Sequence, residues 1–405
     1  MVVGDIGADH YGEPCVSRLN NDMDCLEIAR KLVAIDSVTS RPNADVANCM
    51  REHLKTIGFD LEELAYSDNA GTEKIALIGR RGPEPSSSQD AHSGGIVYCC
   101  HNDVVSVEGW NASQGGPFDA AVAEGKLWGR GSCDMKGPTA AALAAVERIP
   151  LEKQKHPIYF LVTGDEESGM QGAGAIVASS NYFAEMRAAG TVGIIGEPTQ
   201  LRVVNAHKGG CHIKVTSHGI AAHSSTADGR NANWSLIPFL SYLSQQYERC
   251  QSDPALLNHR FSPPSLSMNV VVKNEPAASN ITVGKATCQI FLRPMPNVDW
   301  RGFVEAIVAT ATSMGLQTSP IAALEPLHTP DSNRFVREVL SALGQPEPES
   351  VCFATDGCCL RVLNNLIVLG PGSIEQAHRS DEWISLEQLY RGVEVYEHLF
   401  RMYCM

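Results

Sequence analysis

Four short apolar runs in this 405-residue chain each lead into side chains that can bind a cation or move a proton. IVYCC (96–100) runs into His101 and Asp103, and IYFLV (158–162) into Asp165, Glu166 and Glu167. VGII (192–195) runs into Glu197, and LIVL (366–369) passes through GPGSIEQA to His378. Asp134 lies in GRGSCDMKG (129–137), just ahead of an Ala-rich stretch. Imidazoles with carboxylates and no thiolate suit Zn²⁺ or a similar first-row ion. Two imidazoles and three carboxylates exceed a one-metal site and fit two ions about 3.5–4 Å apart that share a carboxylate. Singly, each residue has an ordinary reading: a surface His, a solvated Glu pair, a turn Asp. Their recurrence at strand ends is what points to one site, because ligands of parallel sheets bind beyond the carboxyl ends of the strands. Cys99, Cys100 and Cys133 adjoin these positions, but their alternation with strand residues reads as burial.

Continuous apolar strands separated by helical segments predict an α/β fold, with a largely parallel central sheet flanked by helices. Helical periods run over 25–35, 45–57 (with Gly58 as a stop) and 139–147. The Pro-, Ser- and Gly-rich stretch 80–95 reads as a long hairpin tip between two strands. From 203 to 314 the pattern changes to alternating strands with helices over 234–247 and 301–314, which predicts an inserted α+β module. The expected organisation is therefore a catalytic domain over 1–202 (with 1–22 as a tail), an insert over 203–314, and the return of the catalytic domain over 315–405.

Lys plus Arg number 32 against 46 Asp plus Glu, a formal charge of −14, which argues against nucleic acid as a partner. No apolar run reaches the roughly 18–20 residues of a membrane span. The N-terminal residues have no basic start and no apolar core, and the 13 Cys are scattered without a CxxC pair. Both features predict reduced thiols and a cytoplasmic setting.

Seven blocks carry a resemblance: CHNDVV, GRGSCDMKG, TGDEESG, IGEPT, AHKGG, AAHSS and PGSIEQAHRSDE, in order over roughly residues 25–400. Through them the chain resembles the dinuclear-zinc metallopeptidase family of acetylornithine deacetylase, succinyl-diaminopimelate desuccinylase, aminoacylase and glutamate carboxypeptidase. The resemblance implies two divalent ions, Zn²⁺ or else Co²⁺. His101 and Glu197 would bind one, Glu167 and His378 the other, and Asp134 would bridge them. Asp103 would orient His101, and Glu166 would be the general base. His223 of AAHSS would stabilise the oxyanion, often from a partner subunit. The insert would be a lid and the dimerisation domain of a homodimer.

Within that family, AHKGG and LGPGSIEQAHRSDE look most like acetylornithine deacetylase, which implies hydrolysis of N2-acetyl-L-ornithine to L-ornithine and acetate in arginine biosynthesis. Desuccinylase, aminoacylase and dipeptidase activities are the neighbouring readings, and a non-catalytic metabolite-binding protein is the reading of a different class. Arg293, with Asn280, is the candidate clamp for a substrate carboxylate. Asp356, beside Gly357, is the candidate partner for the cationic amine of ornithine. Two departures stand out. Ser106 replaces the usual Pro, and FATDGCCL (353–360) differs from the TEA sequence common in bacterial acetylornithine deacetylases.

Overall fold

The computed structural model describes residues 19–86 and 92–405. Most of the expected tail, 1–18, lies outside the described residues, and Leu19 already opens the first helix, Leu19–Val33. The main sheet has nine strands. The four apolar runs form its centre, in the order Ile158–Thr163, Ile96–His101, Val192–Ile195, Leu366–Val368, all parallel. Antiparallel strands flank them: Glu73–Arg81 and Asp60–Ser67 on one side, Val204–His207 and Leu327–His328 on the other. Glu349–Val351 adds a parallel pairing to Val204–His207.

The central strands read as unbroken apolar runs because both faces are covered. Ile96, Tyr98 and Cys100 pack into one core cluster, while Val97 and Cys99 pack into another on the opposite face. The first cluster is roofed by the helices Leu19–Val33, Lys136–Glu147 and Leu386–Cys404. Lys136–Glu147 is buried along nearly its whole length. Its run of alanines lets neighbouring helices approach closely at no cost in helix propensity. The second cluster is covered by Gln171–Ser179 and Asn181–Ala189.

The hairpin expected around 80–95 does not form. Ile158–Thr163 lies between Glu73–Arg81 and Ile96–His101, pairing with both. The connection therefore crosses over a strand that comes about sixty residues later, which no local turn signal could announce. Residues 87–91 of it lie outside the described residues.

The insert has its own five-stranded sheet. Met268–Glu275, Lys285–Leu292 and Gly210–His218 lie side by side, with Gln317–Thr318 and Ala322–Leu324 pairing to the last of these. Helices Asn233–Ser252 and Trp300–Ser313 bury one face of it in a separate core. Two edges differ from the sequence expectation. Val204–His207 belongs to the main sheet, so the insert's sheet starts at Gly210. The short strands over 317–324 extend that sheet past 314. Strand alternation reports an exposed face, but not which sheet a strand joins.

A three-stranded sheet pairs Trp383–Ser385 with Lys126–Trp128 and brings the C-terminal segment against the 129–137 loop. No helix among the described residues is long and apolar enough to cross a membrane.

Candidate metal centre and cleft

The site forms where the parallel strands end. His101 is the last residue of its strand and is buried. Its Nδ1 lies 2.9 Å from the backbone carbonyl of Asp103, which can only accept, so the proton sits on Nδ1. Its Nε2 faces Asp134 Oδ1 at 3.0 Å and Glu197 Oε1 at 3.6 Å. On the other side His378 Nε2 lies 3.4 Å from Asp134 Oδ2 and 3.0 Å from Glu167 Oε2. Asp134 thus turns one oxygen to each imidazole, and each imidazole has a second carboxylate of its own. Ligand atoms of His101, Asp134 and Glu167 lie within 4.8 Å of one another, as do those of His101, Glu166 and Glu197. No Cys joins either group. Burial pushes the Cys100 thiol up to about 12, so it stays neutral.

The electrostatics call for a cation. Burial, and then the neighbouring Asp134, hold Glu197 well above the usual carboxylate range. Burial and then Glu197 do the same to Glu166. Glu167 Oε1 is buried without a hydrogen-bond partner. His378 is pushed up to about 10 by its bonds to Asp134 and Glu167. At His101 burial opposes the imidazolium, but bonds to Asp103 and Asp134 outweigh it and raise the pKa. Several acids gathered around two imidazoles, one with an orphaned oxygen, form a donor set that fits divalent metal ions. His101, Asp134, Glu167, Glu197 and His378 are the residues that could hold them.

The supporting residues explain how these groups are aimed. Asp103 meets His101 Nδ1 with its backbone oxygen at 2.9 Å and with its carboxylate at 3.5 Å. Its carboxylate also accepts the backbone N–H groups of Glu166 and Glu167, each at 3.3 Å. Asp165, in a left-handed conformation, accepts the N–H of Ser168, Gly169 and Met170 on its backbone oxygen, closing the turn. Its buried carboxylate pairs with the fully buried Lys74.

Sequence reasoning missed Glu382. This buried carboxylate accepts Cys133 N–H at 2.9 Å and Asp134 N–H at 3.0 Å on one oxygen. On the other it accepts Arg130 Nη1 at 2.7 Å and Gly131 N–H at 3.1 Å. It therefore ties the loop of Asp134 to the segment of His378. The available signal was an acid four residues after His378 in HRSDE, indistinguishable in sequence from the half-buried Asp381 beside it.

Beside the metal centre opens a cleft of about 610 Å³. Glu166, Glu167 and His378 line one side, and His212, Phe291, Arg293 and Leu324 of the insert line the other. The Arg293 guanidinium stacks on Phe291, 4.8 Å from the ring centroid, and forms no ion pair among the described residues.

The remaining expected contacts lie elsewhere. Asp356 is buried, and its carboxylate accepts the hydroxyl of Thr163 at the strand end beside His101, so it does not line the cleft. Gly357 starts the short helix Gly357–Leu360, and a Cβ there would sit 2.6 Å from His207 Nε2. The cleft takes Phe353 and Ala354 from this segment instead. Asn280 is not beside Arg293. Its carbonyl accepts Ser224 N–H at 3.0 Å, next to His223, on an exposed end of the insert. His223 bonds Ser225 Oγ through Nδ1 at 2.7 Å and stands outside the cleft of its own chain.

Residues 98–402 match the model of peptidase family M20/M25/M40. The chain is 29% identical to an acetylornithine deacetylase of Proteus mirabilis (strain HI4320), covering 94% of this chain and 97% of that one. It is 28% identical to an acetylornithine deacetylase of Myxococcus xanthus, covering 92% and 96%. Among solved structures, the di-peptidase Dug1p from Saccharomyces cerevisiae superposes with a TM-score of 0.69 at 16% identity, covering 95% of this chain and 98% of that one.

Proposed function

The chain belongs to peptidase family M20/M25/M40, as a metal-dependent hydrolase of amides, and from that premise we propose that it removes the acyl group from N-acyl amino acids. The observation that supports this reading most is the Asp134 carboxylate, which offers one oxygen to each of two imidazoles with Glu166 beside the cluster. We take His101, Asp134 and Glu197 as the ligands of one divalent ion, and Asp134, Glu167 and His378 as those of a second, with Zn²⁺ the first choice and Co²⁺ the other. Ions held there would supply Lewis acidity and a water of lowered pKa.

The chain's own residues do the rest. Glu166, held proton-hungry by burial and by Glu197, takes the proton of the attacking water and returns it to the leaving amine. Arg293 holds the substrate carboxylate in its planar fork across the cleft from Glu166. His223 and Asn280, exposed on the insert, would reach a cleft across a homodimer built on that module. His223 would then donate to the developing oxyanion. The 12 Cys among the described residues are free thiols, most of them buried, which suits a cytoplasmic enzyme.

The two deacetylase relatives suggest N2-acetyl-L-ornithine as a substrate, with release of acetate and a place in arginine biosynthesis. N-Succinyl-diaminopimelate, N-acyl neutral amino acids and dipeptides are the competing members of the same class. The test is removal of metal by a chelator. Hydrolysis of N-acyl amino acids should disappear and return with Zn²⁺ or Co²⁺. Activity indifferent to chelation would refute the reading.

A further inference from the structure

The side chain of N2-acetyl-L-ornithine ends in an ammonium group. Drawn into a half-enclosed cleft, an ammonium loses water and needs a carboxylate to compensate. This cleft has none to spare. Among the described residues, the ionisable side chains that line it are Glu166, Glu167, His378, His212 and Arg293. Glu167 is directed at His378, and Glu166 belongs to the cluster with His101 and Glu197. Asp356, the acid that the sequence offered for this purpose, bonds Thr163 through one oxygen, keeps the other buried, and does not line the cleft. Glu325, next to Leu324 on the cleft rim, is paired with Arg301.

What the cleft offers is apolar surface and one cation. Phe291, Ala322, Ala323 and Leu324 supply the insert wall, and Phe353 and Ala354 continue it. Arg293 stands among them without an ion pair, free to take the substrate's carboxylate and with no attraction to offer an ammonium. We infer that this cleft selects N-acyl amino acids whose side chain is uncharged and apolar, and disfavours the cationic N2-acetyl-L-ornithine. The α-carboxylate goes to Arg293 and the side chain to the wall of Phe291, Leu324 and Phe353. This rests on the acyl-amino-acid hydrolase reading above and narrows it, away from the N2-acetyl-L-ornithine that the relatives suggest.

N-Acetyl-L-norleucine and N2-acetyl-L-ornithine have side chains of equal length that differ by a methyl against an ammonium, so the pair isolates the charge. With the metal-loaded protein, kcat/KM should favour norleucine by tenfold or more. Calorimetric binding to Glu166→Gln, whose turnover should be at least about a hundredfold slower, should show the same preference. Ala354→Glu, or Leu324→Glu from the insert side, should move the ratio towards ornithine by a comparable factor. Equal treatment of the two ligands, a preference for ornithine, or binding of neither would overturn the inference. Selective binding of norleucine with no hydrolysis by the unmodified protein would uphold the selectivity and sink the hydrolase reading. Hydrolysis of both at equal rates would do the reverse.

Discussion

Glu382 offers the sharpest test of how the metal centre is held. Its two oxygens accept four N–H groups, three from the backbone of residues 131–134 and one from the buried Arg130. Burial and the nearby Asp134 push its carboxyl up to about 7, while Arg130 and the Cys133 and Asp134 amides pull it down. Because all four contacts are donors, they hold the ionised form. Glu382→Gln keeps the shape but turns one oxygen into a donor. In either orientation two of the four bonds are lost and a donor is set against donors, and Arg130 loses its counter-charge. Breaking a buried pair from one side costs about 3–5 kcal/mol. For cooperative unfolding of 405 residues, at roughly 2 cal/mol/K of unfolding entropy each, the midpoint should fall by about 4–6 °C. Asp134 rides on the same loop, so metal affinity should also fall by about 10–100-fold, the usual cost of removing a group that orients a ligand. Thermal unfolding with and without Zn²⁺, and competition against a chelator of known affinity, measure both. A midpoint within about 1 °C of the parent, the size of a neutral surface change, together with unchanged metal affinity would refute the reasoning. The pairing of Trp383–Ser385 with Lys126–Trp128 would then be what holds the loop.

Two further predictions concern Glu166, the proposed base, and a buried imidazole. Glu166→Gln should lower kcat by about 10²–10⁴-fold while metal content and unfolding midpoint stay at the parent's values; activity kept within an order of magnitude would remove Glu166 as the base. His207 is fully buried, bonded to the Lys208 carbonyl and to Thr355, and burial lowers its pKa from 6.5 to about 4. Below pH 6.5 the unfolded chain takes up a proton that the folded chain refuses. Stability should therefore fall as pH drops from 6.5 to 4, by about 3 kcal/mol from this group alone. Denaturant titrations across that range should be correspondingly flatter for His207→Gln, and parallel profiles for the two proteins would count against it.

Much of the fold was legible because burial on both faces leaves a plain mark. The four unbroken apolar runs are the four parallel central strands, and the helical periods beginning near 25, 45, 139, 234 and 301 are helices. The errors fall where pairing is non-local. The 80–95 connection looked like a hairpin because its flanks are adjacent strands in sequence, yet Ile158–Thr163 separates them in space. Val204–His207 carries the same residue types as the insert strands but hydrogen-bonds to Leu366–Val368.

The sequence by itself determined the inventory: which residue types stand at the strand ends, that they are imidazoles and carboxylates without thiolates, and that they recur often enough to share one site. Residue type and spacing along a strand follow directly from local pattern. The tertiary structure decided which way each side chain points. It turned Asp356 inward to Thr163 and set Phe353 and Ala354, three and two residues before it in sequence, in the cleft wall. It made the Asp103 carboxylate a strap for Glu166 and Glu167, and it made Glu382 a clamp on a loop some 250 residues earlier. Direction depends on the packing of segments distant in the chain, and hydrogen bonds across such distances leave no trace in the order of the residues that make them.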